Sequence, residues 1–178
     1  MDIVGSLPKT QKGNKYILTI QVLLIKYSIG ISMEGISSAE IADVFVKRFT
    51  CRFGSRRAIL IGQGANFTSS LMKKVARRFR IKQYIMSAYH PQSNGTIERS
   101  HHVLTKYLKL HIENTNNWDE WVELAMFSCN TSVYEGTRFS PHELVFGHLA
   151  REPTGEAIYR REHGTYLRRI SERPIRQN

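Results

Sequence analysis

"LIGQGANFTSS", residues 60 to 70, reads as the end of a buried strand, a glycine turn and the start of a helix. In open α/β sheets, the carboxyl ends of strands are where functional groups gather. Many α/β enzymes place a catalytic carboxylate there, but this chain has Gly62. The preceding run, "RAILIG", is short and continuously apolar, the pattern of a central strand covered on both faces. Thr68 is placed to cap the next helix, whose apolar face would be Leu71, Val75 and Phe79.

Upstream, "MDIVG" is a short apolar strand. "YILTIQVLL" and "YSIGISM" follow as β-rich runs, and Lys26 between them suggests antiparallel pairing. Their connection is unusual, because Val22 to Ile25 are apolar where turn chemistry prefers Asp, Asn, Ser or Gly. Ser37 with Glu40 forms a capping box, Ile41, Val44, Phe45 and Phe49 recur at helical spacing, and Gly54 ends the segment. Downstream, "IKQYIMSAY" reads as a strand. A helix is expected from about Thr96 to Glu113, with Ile97, His101, Leu104 and Leu108 on one face. Asn117 would cap a last helix through Trp118, Val122, Ala125, Met126 and Cys129. Three strands, then helix, strand, helix, strand and two helices predict an α/β domain with a mixed sheet covered on both faces.

The 178 residues carry 26 Lys+Arg against 15 Asp+Glu, a net charge of +11. That excess favours a polyanionic partner, nucleic acid before membrane. The longest apolar stretch is broken by Gln21 and Lys26, too soon for a membrane span. No zinc-like spacing of Cys and His occurs, and the amino end lacks a signal-peptide layout. Cys51 and Cys129 read as two free, buried thiols of a reducing compartment. From Arg151 the composition shifts to seven Arg, four Glu and few large apolar residues, so 151–178 is expected to be a loosely ordered tail after a domain spanning 1–150.

Carboxylates are few. Asp occurs only at 2, 43 and 119. Asp43 and Asp119 fall on helix faces as ordinary solvated charges, whereas Asp2 lies inside an apolar strand. Glu98 lies in the first turn of a predicted helix, where the helix dipole favours an anion. Asp2, Glu98 and an acid at position 62 would together hold two divalent cations, and Mg²⁺ requires such hard oxygen ligands.

The ordered series "MDIVGSLPKT", "KGNKYILTI", "ILIGQGANFTS", "AYHPQSNGTIERSHHVL", "WDEWVELAMFSCNTS" and "GTRFSPHELVFG" resembles the integrase catalytic core of gypsy-type retrotransposons, over about residues 1–150. The resemblance implies the RNase H-like fold, a five-stranded mixed sheet flanked by helices on both faces. It also implies DNA end processing and strand transfer with Mg²⁺ or Mn²⁺, and, for a functional copy, a nuclear setting. The family's first acid matches Asp2 and its Glu matches Glu98. Its second Asp, in a Thr-Asp-Gln-Gly-x-Asn-Phe pattern, falls on Gly62 within "Ile-Gly-Gln-Gly-Ala-Asn-Phe". Thirty-five residues lie between 62 and 98, the family's spacing, so Gly62 is a substitution in an intact frame. The remaining metal-ligand candidates are Asp2 and Glu98, with cation binding weak or absent.

Other departures accompany Gly62. Val22 and Ile25 replace polar turn residues, "GPLP" has become "GSLP", and the family's first strand is expected to be clipped at Met1. The resemblance leads to the expectation that the family's zinc-binding module is absent. Lys73, Lys74, Arg77 and Arg78, with Arg80 beside them, form a basic helix face suited to sequence-independent phosphate contacts. Gln92 and Asn94 lie in the "YHPQSNG" loop, which resembles the family loop laid against the DNA end. These features imply a DNA-binding pseudoenzyme that can form a homodimer. The alternatives are an impaired strand-transfer enzyme, a dimerisation module without a DNA role, and a truncated relic of a transposable-element polyprotein that folds poorly.

Overall fold

The computed structural model describes residues 1–86, 104, 105, 108 and 117–151. The "YHPQSNG" loop, most of the predicted helix from Thr96, and nearly all of the Arg-rich tail lie outside these residues.

Strands β1 (Asp2–Val4), β2 (Tyr16–Gln21) and β3 (Ser28–Met33) form an antiparallel sheet in the order β1-β2-β3. Asp2 faces Thr19, and Gln21 faces Ser28. The apolar Val22–Ile25 connection is a turn closed by Val22 N–H to Tyr27 O at 2.8 Å and Lys26 N–H to Val22 O at 2.7 Å. Lys26 takes the left-handed conformation at φ 62°, and Leu24 is 83% exposed. Strands β4 (Ala58–Ile61) and β5 (Lys82–Ile85) pair in parallel, an arrangement that needs a crossover, which the helical segment between them supplies.

Two backbone bonds join the sheets. The Met1 amino group donates to Leu60 O at 2.7 Å, and Gly62 N–H donates to Met1 O at 3.2 Å. A residue bonding to two residues two apart is the parallel-ladder pattern. The strands therefore lie in the order β3-β2-β1-β4-β5, a five-stranded mixed arrangement. Of β4 only Ile61 is fully buried, so this strand is covered less than its apolar run suggests.

Alternation along β2 sends side chains to two cores. Leu18 and Ile20 join Ile41, Phe45, Phe49, Ile61, Phe67 and Met72 on one face. Ile17 joins Leu104, Leu108, Trp118, Val122 and Met126 on the other. Helices thus cover both faces, as the element order predicts.

On the first face lies α1 (Ser38–Val44), continued by a π-helical segment (Phe45–Thr50) and a last turn, α2 (Cys51–Phe53). The capping box forms: Ser37 Oγ accepts from Glu40 N–H at 3.3 Å, and Glu40 Oε2 accepts from Ser37 N–H at 2.9 Å. Phe45 stacks on Phe49, and Phe49 meets Phe53, with ring centroids 5.8 and 5.3 Å apart. Gly54 ends the segment at φ 77°.

A short α3 (Ala65–Thr68) precedes α4 (Ser70–Arg78). The α4 cap is Ser69, which accepts from Met72 N–H, whereas Thr68 Oγ1 bonds Ala65 O instead. The buried face of α4 is Met72 and Ala76, flanked by half-buried Val75 and Phe79. Leu71 is exposed.

On the second face a 3₁₀ turn (Trp118–Glu120) leads into α5 (Val122–Thr131), and α6 (Pro141–Phe146) follows with Ser140 as its cap. The last predicted helix is therefore split, and Asn117 makes no capping bond through its side chain. Asp119 is not a solvated charge. It is half-buried and accepts from Asn14 Nδ2 at 2.7 Å and Thr10 Oγ1 at 3.1 Å, tying the loop after β1 to this turn. Asp43 is exposed and pairs with Lys47 at 2.8 Å. Both cysteines are free, as expected, but Cys51 is exposed and Cys129 only half-buried. Among the described residues no helix is long and apolar enough to cross a membrane.

Candidate active-site strand end and basic helix

The central strands bring positions 2 and 62 together. Asp2 is held in register by the β1–β2 ladder and by Thr19 Oγ1, which donates to Asp2 O at 3.1 Å. Gly62 follows β4, and its N–H is bound to Met1 O. A Cβ built on Gly62 would lie 2.8 Å from Asp2 Oδ1 and 3.6 Å from Phe67 Cε2. A side chain at 62 would therefore share the space into which the Asp2 carboxylate now leans.

That geometry decides what the strand end can do. Asp2 offers one carboxylate, and Gly62 adds no ligand atom. Gln63 is neutral, and its side chain is held towards the end of β5, where Nε2 donates to Met86 O at 3.0 Å. Among the described residues, no group of three His, Cys, Asp or Glu could hold a metal ion. Glu98, Gln92, Asn94 and the histidines after Glu98 lie outside the described residues. Among the described residues, Asp2 therefore does not by itself fit a pair of cations at this strand end.

The Met1 amino group lies one residue from Asp2 and was not singled out from sequence. Burial lowers its pKa from the ordinary 8.0 to about 6, partly opposed by the Asp2 charge. The folded chain thus favours the neutral amine. Between pH 8 and 6 the unfolded chain binds more protons, so stability is full above pH 8 and falls as pH drops toward 6. For a chain with a free amino group at Met1, the full loss is about 3 kcal/mol. Thermal melts at pH 8 and 6 should read about 2 kcal/mol of it, the remainder being lost outside that range. Acetylating the amine should flatten the difference.

The basic face is built as its spacing predicts. Lys73, Lys74, Arg77 and Arg78 are all exposed on α4, opposite buried Met72 and Ala76. Arg80 continues the exposed run. The three ion pairs among the described residues, Lys12–Glu120, Lys47–Asp43 and Arg48–Glu123, involve none of these cations.

No family model matches the chain. It is 29% identical over 154 residues to the retrovirus-related Pol polyprotein from transposon 412 of Drosophila melanogaster, covering 86% of this chain and 12% of the relative. It is 23% identical over 146 residues to the transposon Tf2-3 polyprotein of Schizosaccharomyces pombe, covering 82% of this chain and 11% of the relative. The chain thus spans only about an eighth of these relatives. In structure, it superposes on a chain of the simian T-cell lymphotropic virus intasome with a TM-score of 0.67 at 16% identity, covering 85% of this chain and 55% of that one. It superposes on the catalytic core domain of BIV integrase with a TM-score of 0.63 at 16% identity, covering 80% of this chain and 90% of that one. The chain is a homologue of retrotransposon polyproteins and carries the fold of a retroviral integrase catalytic core.

Proposed function

We propose that this chain is an integrase-core segment that binds DNA without joining it. The observation that supports this reading is that a side chain at position 62, which glycine lacks, would start 2.8 Å from Asp2 Oδ1. The position beside the Asp2 carboxylate is the one where a second acid would complete a cation pair, and glycine provides no oxygen there. In an active core, the paired cations would activate the attacking oxygen and stabilise the leaving one. This chain retains what DNA binding needs, namely cations on a rigid element. The α4 face would contact phosphates, which position a duplex without reading its sequence. Pairing of two copies is compatible with this role.

Fluorescence anisotropy with a short labelled duplex tests it. Binding should weaken steeply with salt and be insensitive to the identity of the duplex. Replacing Lys73, Lys74, Arg77 and Arg78 together by alanine should reduce the slope of log K against log[salt] by about 3 to 4, if each contacts a phosphate. An unchanged slope would place the DNA elsewhere, and absence of binding at low salt would remove the proposed role.

A further inference from the structure

The excess of positive charge is confined to one segment. Residues 44–97 hold eleven of the 26 Lys and Arg and none of the 15 Asp and Glu, so the rest of the chain is balanced. Four of the eleven form the α4 face, and Lys47 and Arg48 are paired with Asp43 and Glu123. Four others, Arg56, Arg57, Arg80 and Lys82, are exposed and gather where β4 and β5 begin. Backbone contacts bring them together. Lys82 N–H donates to Arg57 O at 2.9 Å, and Ser55 Oγ donates to Phe79 O at 2.8 Å. Arg56 is steadied over the Phe49 ring, its Cζ 5.7 Å from the centroid. Among the described residues, no ion pair involves any of the four.

The dipole of α4 accounts for cations in its last turn, Arg77 and Arg78, but not for these. Arg56, Arg57 and Lys82 lie outside any helix. Arg80 takes a left-handed position, φ 55°, that glycine would fill at less cost. Cations so gathered repel one another unless an anion lies among them. No large apolar side chain is exposed at 52–58 or 79–82, so the edge lacks the group that a membrane-surface site would bury.

We infer that the starting edge of β4 and β5 is a second site for the phosphates of DNA, made by Arg56, Arg57, Arg80 and Lys82. This rests on the reading of the chain as a DNA binder. The edge lies at the opposite end of β4 from Gly62, about 13 Å along the strand, so its contacts are made away from the Asp2 strand end. Three of the four are Arg, whose planar fork matches phosphate oxygens two at a time. Recognition by charge alone makes the site indifferent to sequence and steep in salt.

The test compares the parent with three variants: the α4 alanine variant, an edge variant carrying Arg56→Gln, Arg57→Gln, Arg80→Gly and Lys82→Gln, and the two combined. Anisotropy of a labelled duplex is followed across salt concentrations. The α4 variant should keep salt-sensitive binding, and adding the edge changes should lower its slope of log K against log[salt] by about 3 to 4. The edge variant should melt close to the parent, because all four side chains are exposed. No binding by the α4 variant, or equal slopes with and without the edge changes, would overturn the inference while the parent's own binding left the proposed function standing. Absence of binding by the parent would remove both. Edge changes that release the chain from phosphatidylserine vesicles and leave DNA binding unchanged would overturn the inference in favour of a membrane surface.

Discussion

On the proposed reading, Gly62→Asp should confer joining of DNA ends in the presence of Mn²⁺. The backbone permits the change, since Gly62 lies outside the positive-φ glycines, Gly5, Gly13, Gly54 and Gly147. The new Cβ would approach Asp2 Oδ1 at 2.8 Å, which requires movement only of the end of a side chain. Two carboxylates so close repel unless a cation lies between them. The variant should therefore melt below the parent without divalent ions and recover as Mn²⁺ or Mg²⁺ is added, because ligand binding to the folded state stabilises it. Cation-assisted stabilisation of the transition state is worth several kcal/mol, so joining should rise by about two to three orders of magnitude over any background. Adding Glu98→Gln should abolish the gain. A Gly62→Asp chain whose melt ignores divalent ions would show that positions 2 and 62 do not form a cation site.

Trp118→Ala should cost about 4 to 5 kcal/mol of stability. Trp118 is 1% exposed and packs with Ile17, Leu104, Leu108, Val122, Ala125 and Met126. Its Nε1 donates to Pro8 O at 2.7 Å, tying the loop after β1 to the second core. Truncating a buried Trp leaves a cavity, costing about 3 to 5 kcal/mol, and orphaning the Pro8 carbonyl adds to that. For a domain of this size the melting midpoint should fall by about 10 °C or more. Trp118→Phe keeps much of the volume and loses the hydrogen bond, so it should cost about 1 to 2 kcal/mol. Equal midpoints for the alanine variant and the parent would mean that the second core does not hold the sheet.

The features legible in the sequence are those set by local chemistry. The capping box at Ser37 and Glu40, the antiparallel β2–β3 pair and the basic face of α4 each follow from neighbours in the chain. Ambiguous local signals were resolved by tertiary contacts. In "FTSS", Thr68 and Ser69 are both competent caps, and Ser69 holds the position while Thr68 bonds back to Ala65. Leu71 is apolar at helical spacing, yet the side of α4 facing the sheet is set by Met72 and Ala76. Cys51 follows an apolar helix but falls on its exposed side. Asp119 looked solvated because its partners, Thr10 and Asn14, are more than a hundred residues away.

The candidate site divides in the same way. Spacing and family resemblance identified Asp2 and Gly62 as counterparts, but no local pattern reveals that Met1 bridges Leu60 and Gly62. That bridge is non-local, and it makes the two positions neighbours.

The most direct measurement is a strand-transfer assay on the unaltered chain with Mn²⁺, run on protein shown in the same buffer to be folded and bound to the duplex. Salt-sensitive binding with no joined product is the predicted result. Joined product that disappears in Glu98→Gln would contradict it, and would require an acid ligand from somewhere other than position 62.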